Sequence, residues 1–282
     1  MTAAERAEGY DALLAAAALL YANGQSTQMT QTAVERLNRG LGLDAVVVPS
    51  WSMLTLTAAG SRNTVLTAAV SPTVINMRRV ASMMAVVDRA QDGPLELDHV
   101  ARGVVDAEAQ PYSGTVPFAL ACATGAAALS VIYGASHPLA ILLAALAAAG
   151  GGLLRRWLGA GPLMQVFVAA ALAGAVGAAA THLGLGNSTA IVAICPAMVL
   201  VPGPHILNGA LDLLDLRMTL GLARLAFGMM LLTAIGAGLI LGLHAGGQTL
   251  AVTASSSSVP LVLDVLAAGV AAASYPVYFS MP

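Results

Sequence analysis

Five stretches of this chain, Val116–Gly134, Pro138–Leu154, Leu163–Gly184, Leu220–Leu243 and Val259–Met281, are apolar almost throughout. An α-helix rises ~1.5 Å per residue, so ~20 apolar residues cross the ~30 Å hydrocarbon core of a bilayer. Most of the five come near that length, and an interrupted sixth apolar segment lies between the third and the fourth. The series confines the chain to a polytopic α-helical membrane bundle of about six spans. Glycines crowd the runs (Gly125, Gly150, Gly151, Gly152, Gly174, Gly177, Gly236, Gly238), and small residues let membrane helices approach closely.

Charge divides the chain. Only 9% of its 282 residues are charged, against about 25% in soluble domains. Residues 1–112 hold eight of the twelve basic residues and eleven of the fourteen acidic ones. Three parts are therefore expected: a soluble domain over 1–112, a bundle of five spans over 113–258, and a sixth span over 259–282. A net charge of −2 gives no ground for nucleic-acid binding. Cys122 and Cys195 sit in apolar segments and read as small hydrophobes, not as a disulfide or metal ligands.

The N-terminal part reads as an α+β domain. Helices are expected from Tyr10 to Ala22, from a Ser26 or Thr27 cap to about Arg39, over Val74–Arg89 and over Leu95–Ala109, with Gly24, Gly40 and Gly42 as stops. Ala45–Val48, Met53–Thr57 and Thr64–Val70 are β-prone, and Gly60-Ser61-Arg62-Asn63 reads as a hairpin turn. The N-terminal apolar run mixes acids with its one arginine and lacks a convincing cleavage site, so it is a poor signal peptide. This domain is thus expected in the cytoplasm. The arginines agree: Arg155-Arg156 and Arg217 then fall inside, and the outer connections Ala135–His137, Leu185–Ser188 and His244–Ser258 contain none.

The interrupted segment, Thr189–Arg217, carries the candidate chemistry. It breaks at Val201-Pro202-Gly203-Pro204 and resumes with His205, Asn208, Asp212 and Asp215 at helical spacing on one face. Freed backbone groups are tolerated at membrane depth only inside protein or along a water-filled cavity, and discontinuous helices are how many secondary transporters build a substrate site. Thr189–Val201 covers about 20 Å of the ~30 Å core, which puts the break toward the cytoplasmic side. Pro204 suits the first turn of the second half-helix, and the N–H groups after it favour an anion such as a carboxylate. Gly203, His205 and Asn208 are therefore the candidate substrate-binding residues. Asp212 is the candidate proton-coupling residue, and Arg224, early in the next helix, is its partner. A static Asp–Arg pair is the competing reading. Asp264 and His182 read as boundary residues. No P-loop, metal-ligand cluster, nucleophile elbow or cofactor motif stands out, so neither enzyme nor cofactor is expected.

Gly24, Ser26, Val34-Glu35-Arg36, Val201-Pro202-Gly203, Asn208, Asp212 and Gly221-Leu222-Ala223-Arg224 together resemble the threonine/serine exporter family, with its relatives proposed to export succinate. The resemblance implies a multi-pass protein of the bacterial plasma membrane that exports small polar metabolites, driven by the proton gradient. It also implies a second membrane half, fused or supplied as a separate chain. This sequence fits neither arrangement, so a separate half or a homo-oligomer is the expected partner. The alternative class is a membrane-anchored sensor or scaffold whose soluble domain binds a ligand or partner.

Overall fold

A computed structural model describes residues 2–58, 65–249 and 259–282. The expected turn at 60–63 lies outside them. The described chain is mostly helical and packs as two compact units: Met1–Tyr112 with Pro204–Ala226 and Phe279–Pro282, and Ser113–Gly203 with Phe227–Tyr278.

The first unit is built around α1 (Ala3–Ala22). Leu13, Ala16, Ala17, Leu20 and Tyr21 on it are fully buried. Its first half carries Glu5, Arg6, Glu8 and Asp11 at the surface. From Ala12 to Ala22 only Ala15 is exposed and every residue is apolar but for the Tyr21 hydroxyl, since a helix covered on nearly every side needs no polar stripe. It begins at a capping box: Thr2 accepts from the Glu5 N–H and Glu5 from the Thr2 N–H. The Thr2 hydrogen bonds hold the exposed Glu5 carboxyl below its ordinary range. Helix α2 (Thr27–Leu41) starts at the Ser26 cap and stops at Gly42, whose φ of 63° is the left-handed conformation glycine adopts freely. Strands β1 (Ala45–Pro49), β2 (Met53–Ala58) and β3 (Val65–Ala69) form one antiparallel sheet in that order, with Val47 opposite Leu56 and Leu56 opposite Leu66. Burial alternates along it: Val47, Leu54 and Leu56 face the core, whereas Val46 and Val48 are exposed. Helices α3 (Met77–Arg89) and α4 (Leu97–Glu108) complete the N-terminal part. Among the described residues the strands amount to this one small sheet, so the expected α+β organisation is not established; the unit is mainly helical. Its core also takes in Leu220, 4% exposed, from a helix far along the chain.

The second unit holds α5 (Thr115–Ile132), α6 (Pro138–Trp157), α7 (Pro162–His182) and α8 (Thr189–Met198). With them come the later part of α10 (Met218–Ala245), which starts in the first unit, and α11 (Leu261–Tyr278). Prolines open α6 and α7, where a missing N–H is harmless. Among the described residues, α5, α6, α7, α10 and α11 are long and apolar enough to cross a membrane; α8 with α9 (Gly203–Leu214) makes six if they form one broken span.

Glycine decides how closely α7 and α10 pack. A Cβ at Gly238 would overlap the Phe167 carbonyl, and one at Gly174 the Leu239 carbonyl, whereas a Cβ at Gly236 meets nothing within 4 Å. Gly238→Ala is therefore expected to lower stability by about 1–3 kcal/mol through overpacking. Gly236→Ala should raise it by up to ~1 kcal/mol through helix propensity. Thermal unfolding of the two detergent-solubilised variants checks this; equal midpoints would mean that the helices do not touch there.

Candidate functional site

The interruption read from the sequence is present. Helix α8 ends at Met198, α9 begins at Gly203, and the four residues between are non-helical. A second proline, Pro196, lies inside α8 and is buried. Helix α9 ends in a reciprocal turn: the Arg217 N–H donates to the Asp212 carbonyl (2.8 Å) and the Leu216 N–H to that of Leu213 (3.0 Å). Leu216 takes the left-handed position with φ 60°, a place usually given to glycine. This cap turns the chain back so that α9 and the start of α10 lie together. Their approach is again set by glycine: a Cβ at Gly221 would come within 2.8 Å of the Gly209 carbonyl oxygen.

His205, Gly209 and Asp212 form the buried face of α9, and Leu207, Leu211 and Leu214 the exposed one. Asp212 and Arg224 are 2% and 1% exposed. Arg224 Nε stands 3.0 Å from Asp212 Oδ2. That is ion-pair distance, yet the N–H is not aimed at the oxygen, and among the described residues neither atom has a hydrogen-bond partner. The other side of the Arg224 head is fitted to the N-terminal helices. Its guanidinium lies 4.9 Å from the Tyr21 ring centroid, and Nη2 donates to Thr27 Oγ1 at 3.4 Å. Tyr21 is held in turn by its hydroxyl, which donates to the Ser50 carbonyl (3.0 Å), and burial raises its phenol above the ordinary value. Arg217 also contacts Asp212 (3.5 Å), but its shorter bonds go to Asp215 (2.6 Å) and to Gln31 Oε1 (2.8 Å).

The expected Asp212–Arg224 pair is thus formed. Nothing in the spacing of the sequence flags Tyr21, Thr27 and Gln31 as its surroundings. Asn208 is half-buried, and its amide donates to the Gly24 carbonyl at 3.4 Å, a long bond. Gly24 itself has φ +99°, and a Cβ on it would press within 3.1 Å of Ile75; glycine is required on both counts. His205 is buried. Gly203 is exposed, and a Cβ there would meet nothing within 4 Å, so packing alone does not ask for glycine. Asp215 lies just past the helix on the surface. Asp264 is in the first turn of α11 and His182 in the last of α7. Among the described residues no group of histidines, cysteines and acids could hold a metal ion.

A multi-pass helical protein with a buried acid–base pair beside a broken apolar helix has the parts of a membrane transporter. The comparison with family models agrees: the model for threonine/serine exporters (ThrE) matches residues 11–246. The chain belongs to that family, and the match covers most of the first unit, the break and the whole of α10. Neither the curated proteins nor the solved structures yielded a match.

Proposed function

We propose that this exporter moves small hydrophilic metabolites, threonine- or serine-like amino acids or dicarboxylates such as succinate, and couples their exit to the proton gradient. The observation that carries the reading is the Asp212–Arg224 pair, buried yet off-line, between the helix that follows the break and α10. A pair this close but imperfectly joined lacks the hydrogen bond that would lock it closed. Asp212 then takes a proton while Arg224 keeps to Tyr21 and Thr27, and the substrate carboxylate sits at the start of α9 near Gly203 and His205, with Asn208 donating to it. The inverted character of α9, polar inward and leucine outward, is what surrounding hydrocarbon demands of a helix. A counterflow assay in vesicles with amino and dicarboxylic acids tests the assignment. Accelerated exchange by one class and not the other is expected; no exchange with any of them would favour the anchored sensor.

Residues 204–226 fold into the same unit as residues 1–112, so the side of the membrane that holds the N-terminal part holds the ion pair too. We place that part, as an α+β domain, in the cytoplasm on the arginine pattern, with a second membrane half or another copy of the chain completing the pathway. In a background without Cys122 and Cys195, Thr249→Cys is expected to react with an impermeant thiol reagent in intact cells and Gln91→Cys only after lysis. The reverse pattern would invert the orientation.

A further inference from the structure

Helix α6 ends in Arg155-Arg156-Trp157, and this end is built differently from the ion-paired arginine sites. Arg36, Arg217 and Arg224 each have a carboxylate in ion-pair range; among the described residues neither Arg155 nor Arg156 has one. Arg155 Nη1 donates to the Tyr278 hydroxyl at 2.7 Å, a neutral acceptor, and its Nε is buried with no hydrogen-bond partner. Arg156 lies 4.3 Å over the Phe118 ring. Phe118 and Tyr278 are stacked with centroids 5.2 Å apart, so α5, α6 and α11 meet around two adjacent cations that no carboxylate among the described residues pairs. Arg156 is exposed and Arg155 half-buried, but the Arg155 Nε is a buried donor left without a partner, which is costly. A planar guanidinium is shaped for an oxyanion.

The surroundings say which oxyanion. Leu142, Leu146, Leu153 and Trp157 recur at helical spacing along one face of α6 and are 52%, 58%, 45% and 84% exposed. The stripe ends in a tryptophan, which favours the membrane–water interface; Arg156 borders it, and Arg155 continues the buried face of α6 toward Tyr278. An apolar track running up to a pair of cations has the two-part form of a phospholipid. We propose that Arg155 and Arg156 bind the phosphate of an anionic phospholipid, with an acyl chain lying along Leu142, Leu146 and Leu153. Basic pockets between membrane helices hold headgroups in this way.

Trp157 reports on the site once the other tryptophan is removed as Trp51→Phe. The full chain is reconstituted in phosphatidylcholine vesicles containing either brominated phosphatidylglycerol or brominated phosphatidylcholine, and quenching of Trp157 gives the relative association of the two lipids. A preference for the anionic lipid of about five-fold per arginine is expected, cut by about that factor in Arg155→Gln and by less in Arg155→Lys, which keeps the charge but not the fork. Excess free glycerol phosphate should leave the preference in place. Equal quenching by the two lipids, or a preference unchanged in Arg155→Gln, would overturn the proposal. If Arg155→Gln does not insert, an unchanged preference in Arg155→Lys would do the same. Loss of the preference on adding glycerol phosphate would reassign the site to soluble anions.

Discussion

Asp212→Asn is expected to abolish gradient-driven export while leaving solute exchange partly intact. An amide can still touch Arg224, but it carries no charge and takes up no proton in the transport cycle. The substitution also leaves the Arg224 guanidinium, 1% exposed, without its counter-charge, a loss of about 3–5 kcal/mol for a buried pair. Lower yield alone would therefore prove little. The informative variant is Asp212→Asn combined with Arg224→Gln, in which both charges go and neither is stranded. That protein should fold and insert well and still fail to couple export to the gradient. Full gradient-driven export by the double variant would reduce the pair to a structural tie.

Arg224→Gln alone is expected to have the second largest effect, with a stability loss of the same size, about 3–5 kcal/mol. It strands the buried carboxylate and also removes the cation stacked on Tyr21 and bonded to Thr27. Because that head joins α10 to α1 and α2, the damage should spread into the N-terminal part. Limited proteolysis of the first unit is expected to accelerate in Arg224→Gln and to return toward the wild-type rate in the double variant. Unchanged proteolysis in the single variant would show that the contact with Tyr21 and Thr27 does not stabilise that part.

Local features were legible wherever a residue type has only one comfortable conformation. Gly42 marks the end of α2, Ser26 its start, Pro138 and Pro162 the openings of α6 and α7, and Pro202-Gly203-Pro204 the interruption before α9. The face of α9 was legible as well, since His205 and Asp212 stand one above the other on any helix. What periodicity cannot supply is the partner across the chain. Tyr21 and Arg224 are about two hundred residues apart in sequence, and the second half of α1, apolar on every side, offers no stripe to show which face receives an arginine. The start of α1 at Ala3 was missed although Thr2 and Glu5 stand at capping-box spacing, because the apolar pattern begins only near Tyr10. The pairing of Asp212 with Arg224 was readable because an acid and a base fall at matching depth on consecutive helices. The cap through Leu216 was not, because a leucine there carries none of the signal a glycine would.

The central claim is that solute leaves in exchange for a proton taken up at Asp212. The most direct measurement uses vesicles that hold a pH-sensitive dye and a solute accepted in counterflow, with the chain reconstituted in the membrane. Downhill movement of that solute should shift the lumenal pH in the direction of counter-moving protons with the wild-type chain, and leave it unchanged with Asp212→Asn moving solute by exchange. Solute movement by the wild-type chain without any proton movement, or an undiminished pH shift in Asp212→Asn, would contradict it.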